Sequence, residues 1–63
     1  MMLPPPRPEE IVPESFVIYS ITKYNDVAHV IGDFPYAKVD LIFARIQGNW
    51  YLIGKRTLQD HGG

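Results

Sequence analysis

Gly48-Asn49 stands between two strand-like runs, Lys38–Gln47 and Trp50–Leu58, and this arrangement limits the chain more than any other feature. Two turn-forming residues between runs rich in β-branched and aromatic side chains specify a tight hairpin, with glycine supplying the positive φ of a type I′ or II′ turn. The same punctuation recurs upstream. Ser15–Thr22 is β-branched and aromatic, Lys23–Asp26 carries an Asn-Asp turn pair, Val27–Ile31 is a second short strand, and Gly32-Asp33-Phe34-Pro35 breaks the pattern. The expected fold is all-β: a four-stranded antiparallel meander over residues 15–58, either open or curled into a small barrel. The alternative is an α+β arrangement with one short helix.

A proline-rich arm, residues 1–14, precedes the sheet. Leu3-Pro4-Pro5-Pro6-Arg7-Pro8 favours an extended polyproline helix, since consecutive prolines remove backbone donors and hold φ near −65°. Glu9–Val12 has the makings of a single helical turn, because Pro8 suits a first helical position and Pro13 blocks continuation. Residues 59–63 read as a flexible polar tail.

A two-residue loop at Gly48-Asn49 pairs Phe43 with Gly54, Arg45 with Leu52, and Leu41 with Arg56. One face then carries Val39, Leu41, Phe43, Trp50, Leu52 and Leu58 around Arg45 and Arg56. The other carries Ile42, Ala44, Ile46, Tyr51 and Ile53, bordered by Asp40, Lys55 and Thr57. Both faces are apolar, whereas a sheet with one solvated face alternates cleanly. Something must cover the second face: closure of the sheet, the arm, or a second subunit.

Composition sharpens that need. Sixty-three residues make one marginal domain, and with no cysteine neither a disulfide nor a thiolate zinc site can staple it. Association is the remaining staple, and a homodimer its simplest form. A formal net charge of −1 gives no basic excess for nucleic acid or an anionic membrane. No apolar run approaches the ~20 residues of a membrane span, and the early prolines interrupt any signal-peptide pattern. The expected setting is cytoplasmic.

Catalytic parts are missing. Ser15 and Ser20 lack a glycine-flanked elbow, and His29 has Asp26, Asp33 or Asp40 as an orienter without a spacing that demands one. The glycines are scattered, so no phosphate loop is present. No enzyme activity, metal or cofactor is expected. The one constellation worth naming is Trp50, Tyr51, Arg45, Phe43, Leu52, Lys55 and Arg56. Aromatic residues and cations of this kind form the centre of protein interfaces, and they also stack bases and neutralise phosphates. The expectation is a non-enzymatic interaction module or accessory subunit, of the kind phages and mobile elements encode, docking through an apolar sheet face. A nucleic-acid-binding β-module is the alternative.

Three partial resemblances add to this reading. Val27–Asp33 followed by Val39–Ile53 is similar to the closing strands of nuclear transport factor 2-like domains, which implies helices forming a pocket. Gly48-Asn-Trp-Tyr-Leu-Ile-Gly54 resembles the opening strand of lipocalins, which implies a long barrel. Gly62-Gly63 resembles the tail of ubiquitin-like sulfur carriers, which implies a helix after the first hairpin and an acceptor terminus. The Pro-Pro-Arg of the arm resembles ligands of proline-recognition domains such as WW domains.

Overall fold

The computed structural model describes residues 3–62. Four strands, β1 (Val17–Tyr24), β2 (Val27–Phe34), β3 (Ala37–Ile46) and β4 (Asn49–Asp60), form one sheet in sequence order, each antiparallel to the next. The meander is therefore as expected. It is not closed: β1 and β4 are free edges, and no barrel forms. Among the described residues the only helical element is a 3-10 turn, Pro8–Glu10, opened by Pro8.

Turn chemistry explains the strand limits. Asn25 adopts φ 55° in the two-residue turn Asn25-Asp26, a conformation asparagine tolerates better than most residues. β1 starts two residues later than the sequence suggests, because Phe16 N–H donates to the Pro13 carbonyl and the chain is still turning there. β2 does not break at Gly32. It stays paired to Phe34, and the turn falls on Pro35-Tyr36, leaving Phe34 in the extended region that a following proline favours.

The last hairpin differs from expectation by one residue. Its loop is Gln47-Gly48, with φ 52° and 84°, and Ile46 pairs with Asn49. Two positive φ values define a type I′ turn, whose twist matches the flanking strands. Phe43 therefore faces Leu52, Arg45 faces Trp50, and Gly54 lies opposite Ile42. Two bulges follow. Between Phe43 and Ile42, β4 gains Ile53 as an extra residue; between Val39 and Lys38 it gains Leu58. The extra Ile53 shifts the register, so Leu41 faces Lys55 and Asp40 faces Arg56, and Lys55 and Arg56 lie on the faces opposite to those expected.

One face holds the core. Ala28, Val30, Ala37, Val39, Leu41 and Phe43 are buried there, and Phe16 closes over them. Complete burial of each larger side chain contributes about 1.5–3 kcal/mol. The C-terminal half of the arm supplies the cover: Pro8 is fully buried, Val12 packs against the cluster, and the 3-10 turn touches β2 and β4. Gly32 is required beneath Phe16, since a methyl group built there would lie 2.5–2.6 Å from the ring. Phe34 bridges the Phe16 ring at 4.9 Å and the stacked Tyr36 ring at 5.3 Å. The last strand extends beyond Leu58, into the segment read as a tail. β4 runs through Asp60, and His61 N–H donates to the Tyr36 carbonyl at 2.9 Å.

Candidate functional site

The sheet register divides the aromatic–cationic constellation between two faces. Phe43, Arg45, Trp50, Leu52 and Lys55 align on the core side, and Tyr51 and Arg56 on the other. Phe43 is wholly buried, so it is core and not surface. Trp50 is half-buried at the core's rim rather than within it. Arg45 is already engaged: its Nε and NH2 donate to Asp26 Oδ1 at 3.0 and 2.7 Å, and its guanidinium lies 5.5 Å from the Trp50 ring centre. Its backbone N–H also donates to the Asp26 carbonyl at 2.7 Å. These contacts pin the β1–β2 turn beside the last hairpin. Leu52 and Lys55 remain exposed on that face, Leu52 at 53%.

The opposite face has no covering layer among the described residues. Cross-strand registers place Val17, Ser20, Thr22 and Tyr24 of β1 beside Val27, His29, Ile31 and Asp33 of β2. Lys38, Asp40, Ile42, Ala44 and Ile46 of β3 continue the surface to Tyr51, Gly54 and Arg56 of β4. Tyr19, the extra residue of a bulge in β1, joins it through Lys38, whose Nζ sits 5.7 Å from its ring centre. Tyr24 is 78% exposed and Tyr51 50%, and Val17, Tyr19, Val27 and Ile46 are exposed as well.

This face also holds both histidines of the chain, a pattern that spacing alone did not single out. His29 Nδ1 lies 3.0 and 3.2 Å from the two Asp40 carboxylate oxygens. An ionised carboxylate only accepts, so Nδ1 is the donor in this pair. Asp40 is 4% exposed, and Arg56 NH2 stands 3.9 Å from it. Of the three aspartates offered as partners of His29, the structure selects Asp40. His61 Nε2 pairs with Asp33. Desolvation first, and then the Asp33 carboxylate, raise the Tyr19 phenol above its ordinary value of 10.0. The clue in the sequence was register: Asp40 and His29 share a face only once β2 and β3 are aligned.

Among the described residues there is no pocket and no group of three or more metal-ligating side chains. The Asp–His pair lies on this open face, with Thr22 directly across from His29 in the β1–β2 register. No described helix is long and apolar enough to cross a membrane. Among the described residues the helices implied by the transport-factor-like and ubiquitin-like resemblances have no counterpart, and the lipocalin-like motif closes an open sheet instead of starting a barrel. Of the terminal glycine pair, Gly63 lies outside the described residues, and Gly62 N–H donates to Asp60 Oδ1 at 3.0 Å. Comparison with known protein families, with curated proteins and with solved structures found no match.

Proposed function

We propose that the chain is a non-enzymatic protein-interaction module that docks through the open sheet face, and that the face receives a second copy of itself. The observation behind this reading is the uncovered surface bearing Val17, Tyr19, Tyr24, Val27, Ile46 and Tyr51. Contiguous apolar patches of this kind mark interaction sites.

The molecule measures 48 × 22 × 16 Å, thin enough to add a second sheet ~10 Å away. Edge-to-edge growth is disfavoured, because both edge strands carry bulges and cations: Tyr19 and Lys23 on β1, Ile53, Lys55, Arg56 and Leu58 on β4. The face itself mixes Asp33 and Asp40 with Lys38 and Arg56. A twofold copy can set opposite charges against each other while the apolar residues meet.

Sedimentation velocity at micromolar concentration tests the reading. Wild type and Leu52→Glu, altered on the core-side face, should sediment as dimers, and Tyr51→Glu as a folded monomer. A wild-type monomer whose melting temperature is independent of concentration would overturn self-association.

A further inference from the structure

The arm carries an exposed segment that lies apart from the open face. Leu3, Pro4, Pro5, Pro6 and Arg7 are all exposed, Leu3 at 89%, while Pro8 immediately after them is fully buried. The switch is abrupt. Pro8 inserts into the domain and opens the 3-10 turn, whose bonds run from Glu10 N–H to the Arg7 carbonyl at 2.9 Å and from Ile11 N–H to the Pro8 carbonyl at 3.2 Å. The five preceding residues thus form a short peptide fixed at its base to a folded body.

Its backbone is polyproline-like where it meets the domain: Arg7 has φ −83° and ψ 161°. That helix has three residues per turn, so residues three apart share a ridge. Pro5 shares its ridge with Pro8, which points into the protein. The Leu3/Pro6 and Pro4/Arg7 ridges are therefore turned away from the anchored one. Arg7 is also available, its side chain 69% exposed and held only by long contacts of 3.8 Å to Glu9 and 3.9 Å to Glu10. Exposed pairs of that length contribute little. Three prolines offer no N–H, and among the described residues no backbone donor reaches the carbonyls of Leu3 to Pro6.

We propose that Leu3–Arg7 is a recognition segment for a WW-type domain of the class that reads Pro-Pro-Arg. Such a groove stacks aromatic rings against consecutive prolines, donates hydrogen bonds to the free carbonyls, and receives the cation at one end. The segment meets each demand: Pro5-Pro6 for the rings, the carbonyls of Leu3 to Pro6 for the donors, and Arg7 for the cation site. Because its prolines and its anchor at Pro8 hold the bound shape beforehand, little ordering entropy is lost on docking. An SH3 groove fits less well, since it reads prolines three apart with the cation two residues beyond, and Pro8 is unavailable.

The test uses the full chain and three purified domains: a WW domain selective for Pro-Pro-Arg, a WW domain selective for Pro-Pro-x-Tyr, and an SH3 domain. Isothermal titration should give saturable binding to the first alone. Pro6→Ala and Arg7→Ala should each weaken it about tenfold or more, the loss expected of an anchor residue. Both residues are exposed, so circular dichroism and melting temperature should not change. Tyr51→Glu, on the open sheet face, should leave this binding intact. No binding up to millimolar domain, equal binding to the SH3 domain, or binding that survives the double variant Pro6→Ala/Arg7→Ala would each overturn the proposal.

Discussion

Gly32→Ala is the sharpest single test of how the core is sealed. A methyl group at Gly32 would meet the Phe16 ring carbons at 2.5 and 2.6 Å, and would also press on the Val17 carbonyl. Neither neighbour gives way cheaply. The Val17 carbonyl belongs to backbone held by the β1–β2 ladder, and Phe16 is 6% exposed at the centre of the cover. If both stay, overpacking costs about 1–3 kcal/mol. If the ring swings out instead, the lost burial is about 1.5–3 kcal/mol. Replacing a strand glycine returns about 0.5–1 kcal/mol of backbone entropy, so the net loss is about 1–2 kcal/mol. A 63-residue domain has about 3–9 kcal/mol in total, and the melting temperature should fall by about 10 °C. Gly54→Ala is the matched control. There the methyl group would sit 3.5 Å from Ile42 Cδ1 and 3.8 Å from its Cβ, ordinary contact, and the variant should be neutral or slightly stabilised. Urea denaturation at one fixed protein concentration, followed by Trp50 fluorescence and circular dichroism, measures both. Adding Phe16→Leu should recover at least about 1 kcal/mol of the Gly32→Ala loss through coupling. Equal stability of Gly32→Ala and Gly54→Ala would refute the placement of Phe16.

Two further outcomes follow from the geometry. Phe43→Ala should cost about 3–5 kcal/mol and leave the chain largely unfolded, whereas Trp50→Ala, at the half-buried rim, should cost about half as much and still give a cooperative circular-dichroism melt; the reverse order would move the core towards the hairpin's mouth. Asp33→Asn removes a negative charge beside Tyr19, so phenolate forms more readily, and one of the four tyrosines should titrate at lower pH by ultraviolet absorbance than in wild type; superimposable titrations would separate the two side chains.

The strand order and three of the turns could be read from the sequence because they rest on local chemistry. Asn25, Pro35 and Gly48 each limit the backbone at their own position. The hairpin register could not be, since a two-residue loop at Gln47-Gly48 and one at Gly48-Asn49 both use the same glycine. The choice depends on Gln47 adopting φ 52°, which nothing in its own side chain signals. Bulges compounded the shift. Ile53 and Leu58 look like ordinary strand residues, and only the paired sheet shows them to be extra. That is why Lys55 and Arg56 occupy the faces opposite to those the sequence suggests. The uncovered face was legible as an excess of apolar residues on both faces of the hairpin. Its pairing of His29 with Asp40 was not, because it joins residues 11 apart in the chain through the β2–β3 register.

All three ladders join strands adjacent in the sequence, whereas the arm's turn reaches β4, roughly 40 residues further along. Hairpins of this kind form in about 1–10 μs, and local topology makes for rapid folding. The distant closure has a different kinetic character: each hairpin can zip as soon as its own two strands exist, but Pro8 and Phe16 can seal the core only once the sheet beneath them is assembled. The arm precedes the sheet in the chain yet can be seated only after it, and until then the core side of the sheet stands unroofed.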